Sequence, residues 1–298
     1  MAHTLVIDTS YGSTVGLVGH QPIIETDSRT HVERLQVNIS RACDQADIQP
    51  QDISRIIVGT GPGPFTGLRA GIVTAKALAF ATGAQLIGQN ILDAQTLLGI
   101  LRNDDGTLAP ISGEQATEQT MRDQDKDIEQ NPTVAHRLIL AVNDARRRQL
   151  YFQLIDAQAY LHALRTSQTP EERSRIATLI SMDIDYPDSI VQRVNAVTQQ
   201  LRQTTGRDSR IDVIGHGAQR YSQVWDQIEQ RGIVLDASLP EQGEQGLQAF
   251  AELAMTQLNK GATPVPAEPL YLRRPDVSIP NPLKHVLNHG AATAAETR

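Results

Sequence analysis

The chain has 298 residues, 40% of them hydrophobic and 20% charged, an ordinary make-up for a soluble globular protein with room for two medium domains or one large one. Its single cysteine, Cys43, excludes a disulfide framework and fits a reducing cytoplasm; no apolar run approaches the ~20 residues that cross a bilayer, and no secretory signal is expected at the N-terminus. A net charge of −7 argues against a chain that grips RNA unaided, since neutralised phosphates supply most of such affinity, although Arg146-Arg147-Arg148 is a local basic candidate.

The first hundred residues read as three strands followed by alternating helix and strand. Strands are expected over Leu5–Thr9, Ser13–Val18 and Ile23–Thr26, with turns at Ser10-Tyr11-Gly12 and Gly19-His20-Gln21. A helix over His31–Ala46 follows and ends at Ile48-Gln49-Pro50. Then come a strand at Ile56–Val58, a helix at Thr66–Thr82, a strand at Leu86–Gly88 and a helix at Asn90–Leu101. This gives a first lobe over residues 1–102 and an α/β class.

Residues 103–135 are rich in Gln, Asp, Glu and Thr with almost no apolar anchor, and read as a polar, mobile insertion. The rhythm of the opening then recurs: Arg137–Val142 is apolar, Asp144-Ala145-Arg146 turns, and Gln149–Ile155 alternates, which suggests a duplicated architecture. The second lobe is assigned to residues 136–275, with a further polar insertion near 157–187, a strand at Ile211–Ile214, and helices at Ser189–Leu201, Gln219–Gln230 and Glu244–Leu258. Residues 276–298 read as a tail; it contains His285 and His289, a pair without a nearby carboxylate or Cys.

The most informative segment is Val58-Gly59-Thr60-Gly61-Pro62-Gly63-Pro64-Phe65-Thr66-Gly67-Leu68-Arg69-Ala70-Gly71. A glycine-rich turn entering a helix usually cradles an anion, but Pro62 and Pro64 lack the N–H donors, and the spacing fits neither common phosphate-binding pattern. The loop therefore reads as built for shape. The flanking helices carry apolar seams: Val32, Leu35, Ile39, Ala42 and Ala46 in one, Phe65, Leu68, Ile72, Ala75, Ala79 and Thr82 in the other. Each seam either covers its own sheet or forms half of an intermolecular bundle. Asp8, at the end of the first strand, either organises Mg²⁺ and phosphate or closes a turn with Thr9 and Ser10.

The signature segment closely resembles that of the bacterial TsaB (YeaZ) family, departing from it at Pro64, where the family has Ser. Leu5-Val6-Ile7-Asp8-Thr9-Ser10, Asn143-Asp144-Ala145-Arg146, Gly215-His216-Gly217-Ala218 and Pro269-Leu270-Tyr271-Leu272-Arg273 are similar too, and His31 looks like the family's His at the start of the first helix. The resemblance implies an actin-like (ribonuclease-H-like) two-lobed fold with mixed five-stranded sheets flanked by helices. It also implies a non-catalytic subunit of the complex that transfers threonylcarbamoyl to N6 of adenosine 37 in ANN-decoding tRNAs. The expected partners are a TsaD-type catalytic subunit and a TsaE-type ATPase, with a homodimer as a further option and tRNA held mainly by the partner. No cofactor is expected on the lone chain; ATP or ADP would sit at the complex interface. TsaD carries two His four apart on the helix after the fifth strand, where this chain has Ile91 and Gln95, so no metal site is expected.

The resemblance assigns the partner interface to Val32, Leu35, Ile39, Phe65, Leu68, Ile72, Ala75 and Ala79, and the signature loop to Gly59, Gly61, Pro62, Gly63, Thr66, Gly67 and Arg69. On that assignment Ala75→Arg or Ala79→Arg abolishes pairing and leaves the fold intact. By the same resemblance, Asp8, Thr9, Asp144, Gly215 and Gly217 are candidates for vestigial phosphate-facing residues. The alternative is an actin-like ATPase or kinase that uses Asp8, Asp144 and the Gly215–Ala218 turn; an M22-type metallopeptidase is more remote.

Overall fold

Alternation along β1 (His3–Asp8) sorts its side chains between two apolar cores: Leu5 and Ile7 point into one, Val6 into the other. The computed structural model describes residues 3–27, 32–103, 106–109, 136–167, 169–258 and 263–272. β2 (Ser13–Leu17) pairs antiparallel with β1, and β3 (Ile23–Glu25) pairs antiparallel with β2. β4 (Ile53–Gly61) and β5 (Gln85–Asn90) add in parallel on the other side, giving the order β3-β2-β1-β4-β5.

The second sheet repeats this plan. β6 (His136–Asp144) pairs antiparallel with β7 (Leu150–Asp156) and parallel with β9 (Ser209–Ile214). The edges are β8 (Thr178–Asp185) and β10 (Arg231–Leu235), so the order is β10-β9-β6-β7-β8. Read from the opposite edge, the antiparallel and parallel pairings match those of the first sheet strand for strand. The duplicated, mixed five-stranded α/β architecture expected from sequence is therefore present.

Helices cover and separate the sheets. α1 (Leu35–Gln45) and α2 (Phe65–Thr82) lie on the outer face of the first sheet, where Leu35, Ile39, Ala42, Cys43, Ile72 and Ala75 meet Leu5, Ile7, Ile56 and Val58. α2 ends at Gly83, whose φ of +73° suits a left-handed cap. α3 (Ile91–Leu101) starts at Asn90, whose side chain accepts from the amides of Leu92 and Asp93. It runs between the sheets with α4 (Ala157–Thr166) and α8 (Gly243–Leu258), in a core that joins Val6, Ile57 and Ile87 of the first sheet to Ile139, Ile155 and Ile214 of the second. α5 (Pro170–Ala177) adjoins α4. α6 (Pro187–Thr205) and the short α7 (Ser222–Trp225) close the far face of the second sheet around Phe152, Ile190, Val194 and Trp225. Among the described residues no helix is long and apolar enough to cross a membrane.

Several sequence expectations change. The polar stretch near 157–187 is no insertion by structure: it supplies α4, α5 and the edge strand β8. The helix expected at Gln219–Gln230 is broken into a 3-10 turn at Gln219–Tyr221 and the single turn of α7. β10 was not anticipated. Residues assigned to the end of the second lobe return to the first: Leu247 packs against Gly16, Gly88 donates to the Val265 carbonyl at 2.8 Å, and Leu270 donates to the Thr60 carbonyl at 2.8 Å. His31, residues 110–135, Arg273, His285 and His289 lie outside the described residues.

Candidate functional site

The turns after β1, β4, β6 and β9 come together where the two lobes meet. The Asp8 carboxylate is buried and turned onto its own loop, accepting from the Ser10 amide at 2.9 Å and the Ser10 hydroxyl at 3.1 Å. The glycines of the signature leave room for this loop. A Cβ on Gly59 would come within 2.5 Å of Asp8 Oδ1, and one on Gly63 within 2.8 Å of the Ser10 carbonyl; one on Gly71 would collide with Thr9 Oγ1. The Gly-Pro loop thus packs tightly against the turn after β1. The Gly61–Pro62 peptide is cis.

The second lobe clips onto this assembly. Asn143, fully buried at the end of β6, donates through Nδ2 to the Pro62 carbonyl at 2.9 Å and to the Ser10 carbonyl at 3.3 Å. The Tyr151 hydroxyl donates to the Gly63 carbonyl at 3.4 Å. Tyr11 stacks on His216, with ring centroids 4.1 Å apart and an interplanar angle of 18°. Each lobe therefore contributes half of every contact.

His216 is the electrostatic centre of the junction. Its Nδ1 lies 3.3 Å from Asp236 Oδ1 and its Nε2 3.1 Å from Glu241 Oε1. Burial opposes a charge on the ring, but hydrogen bonds to both carboxylates outweigh it and push the pKa up to about 9. Burial likewise works against ionisation of Asp236 and Glu241, and the His216 contact overcomes it and lowers both. Asp8 moves the other way: burial dominates its hydrogen bonds to Ser10 and lifts the carboxyl to about 6.

The five residues offered from sequence as candidates to face phosphate all lie at the turns of this junction. Asp8 and Thr9 lie at the β1 turn and Gly215 and Gly217 at the β9 turn. Asp144 lies at the β6 turn, accepting from the Arg146 amide at 2.7 Å while its other oxygen faces Arg220 at 3.5 Å. Sequence reading missed Tyr11, Asn143, Asp236 and Glu241 as members of the junction, and gave His216 no role. The available signal was His216 itself, a histidine between two glycines that both adopt positive φ, +129° at Gly215 and +91° at Gly217.

The proposed interface seam needs correction. Leu35, Ile39, Leu68, Ile72 and Ala75 are buried in the protein's own core, while Val32 and Ala79 are half-buried. Of that set only Phe65 is exposed. The period-3.6 stripe covers the sheet because that face carries the largest unbroken apolar area. The outward face of α2 is a different one: Phe65 is 49%, Val73 59% and Phe80 93% exposed, alongside Ala77 and Ala81. Phe65 also meets Tyr271 at 5.0 Å between ring centroids, with the Arg69 guanidinium 5.2 Å above its own ring. Thr66 is exposed in the same first turn and Gly67 is buried.

At the positions compared with a metal-binding His pair, Ile91 and Gln95 are both fully buried. Ile91 has no donor atom, and its terminal carbon flanks the Asp8 carboxylate beside Gly59. Among the described residues no group of three or more His, Cys, Asp or Glu is arranged to hold a metal ion.

A family model described as TsaD, tRNA N6-adenosine threonylcarbamoyltransferase, matches residues 21–125. An uncharacterized protein of Mycobacterium tuberculosis is 39% identical over 97 residues, 30% of this chain and 46% of that protein. The tRNA threonylcarbamoyladenosine biosynthesis protein TsaB of Bacillus subtilis is 32% identical over 112 residues, 36% of this chain and 48% of that protein. A tRNA N6-adenosine threonylcarbamoyltransferase of Bartonella henselae is 40% identical over 80 residues, 27% of this chain and 22% of that protein. The chain thus spans less than half the length of these relatives. Among solved structures, YeaZ from Pseudomonas aeruginosa superposes with a TM-score of 0.54 at 22% identity, covering 91% of this chain and all of that one.

Proposed function

We propose, from the likeness to the TsaB (YeaZ) family that the first-lobe sequence and the overall fold both carry, that this chain is a non-catalytic subunit of a cytoplasmic complex that places threonylcarbamoyl on N6 of adenosine 37 in ANN-decoding tRNAs. Its work is to dock on a TsaD-type transferase and hold it competent, with a TsaE-type ATPase joining the pair. The observation that carries this reading is the outward apolar face of α2. Phe65, Val73 and Phe80 form an exposed strip in a helix launched by the signature loop, within the segment that the transferase-family model matches. A helix with one buried face and a second apolar face turned to water is suited to burying that second face against a partner.

The loops that an ATPase or kinase would use at this junction are engaged with one another. Asp8 is engaged by Ser10, and Asn143 and Tyr151 tie the loops together. This favours the subunit reading over an ATPase or kinase. Any ATP or ADP would then sit where this chain meets its partner. Size-exclusion chromatography with light scattering tests the proposal, comparing the chain alone, as monomer or homodimer, with an equimolar mixture with its transferase. Co-elution with wild type and its loss with Phe80→Arg is the expected result. Modification of tRNA by this chain without the transferase, or unaltered co-elution of the variant, would overturn the reading.

A further inference from the structure

We propose that the arginine-bearing tip between β6 and β7, Arg146–Arg148 together with the adjacent Arg220, is a contact for the phosphodiester backbone of tRNA. This rests on the tRNA-modification reading above and adds an RNA-facing surface on this subunit. Arg146, Arg147 and Arg148 have φ of 60°, 49° and 65°, three successive side-chain-bearing residues in the left-handed region. Glycine or asparagine adopts that conformation more readily, so arginine is a conformationally unfavourable choice at each position. The backbone of the turn is closed by main-chain and Asp144 contacts: Gln149 N–H donates to the Arg146 carbonyl and Ala145 N–H to the Gln149 carbonyl, both at 3.0 Å, and the Arg146 amide is held by Asp144. Strain of this kind is kept where a function uses it.

All three arginines are exposed, in a chain whose net charge is −7. Arg146 and Arg148 have no ion pair among the described residues. The acidic groups nearby are already engaged: Asp144 by the Arg146 amide and Arg220, and Asp236 and Glu241 by His216. Arg220 is 60% exposed in its side chain, which leaves most of its fork open beyond the 3.5 Å contact. Tyr11, 39% exposed, stands beside this ridge and adds the aromatic surface that unpaired bases favour. Guanidinium forks match phosphate geometry. A row of them on an open turn suits successive phosphates of a polymer, whereas a nucleotide needs an enclosing cradle of backbone donors, which Pro62 and Pro64 lack in the signature loop.

The test is a fluorescence-anisotropy titration of labelled tRNA against the assembled complex and against this chain alone, between about 50 and about 200 mM KCl. The variant is Arg146→Asn/Arg148→Asn, because Asn tolerates the left-handed turn. It is expected to melt no lower than wild type, to weaken tRNA binding about tenfold, and to make the log Kd–log salt slope shallower by about 1.5 to 2. The double Arg→Lys variant should keep the wild-type slope. An unchanged Kd and slope in the Asn variant, or a loss confined to ATP binding in calorimetry while tRNA binding stays intact, overturns the proposal. If pairing with the transferase is normal and the tRNA titration does not move, this inference fails alone. If pairing itself fails, the subunit reading falls, and the titration of the lone chain still decides the arginines.

Discussion

His216 illustrates how one buried side chain ties stability to pH. Its pKa lies above the ordinary 6.5, at about 9, because Asp236 and Glu241 flank it, with Asp8 and Tyr11 as the other ionisable neighbours. A base whose folded pKa is raised stabilises fully below its unfolded pKa and loses that contribution as pH climbs through the folded value. The expected outcome is a melting temperature that falls between pH 6.5 and about 9, with a contribution on the order of 2 kcal/mol at neutral pH. His216→Gln should melt lower at pH 7 and show a flatter profile across that window; an identical slope in the variant would contradict the assignment. Asp8 acts at lower pH. Its protonated form is favoured by folding, so its contribution declines as pH rises from 3.8 towards about 6. Gly59 supplies a second residue-scale test. Gly59→Ala should cost about 1–3 kcal/mol through the Cβ–Asp8 clash, and Asp8→Ala in the same chain should recover part of it, a coupling that a double-mutant cycle measures.

Among the elements, α2 shows what periodicity can and cannot tell. The three-four spacing of Leu68, Ile72, Ala75 and Ala79 was legible in sequence, but not what it packs against, and the answer is the chain's own sheet. Ala75→Arg is therefore expected to unfold the first lobe, since it buries an unpaired charge at a site with no exposure. Phe80→Arg, on a side chain 93% exposed, should change the melting free energy by less than about 0.5 kcal/mol while abolishing partner binding. Thermal melts of the two variants separate the faces. The same logic explains which strands were visible. β1, β4 and β6 lie inside their sheets with apolar residues on both faces, and they read as strong runs. β8 and β10 are edges with exposed or half-buried polar side chains, such as Ser181, Asp183 and Arg231, so their patterns do not stand out from the polar segments around them. The junction was legible in its glycines and in Asp8 and Asp144. Asn143, Asp236 and Glu241 were not, because their role depends on contacts between residues far apart in sequence.

Over the whole molecule, the central core belongs to both sheets at once, and buried Asn143 and Tyr151 fasten the lobes at one end. Two native reporters sit on opposite sides of it: Trp225, the only tryptophan, in α7 on the far face of the second sheet, and Cys43, the only cysteine, on the inner face of α1. Both are buried. Denaturant titrations followed by Trp225 fluorescence and by Cys43 alkylation should share one midpoint, as a cooperative unit requires. Two separated midpoints would mean that the lobes melt independently. The return of α8 and residues 263–272 to the first sheet also constrains synthesis on the ribosome. Val6, Ile57 and Ile87 meet Leu247 and Phe250 only after the whole second sheet has been translated, so the strands of the first sheet wait for a segment made well after them before their inner surface is sealed.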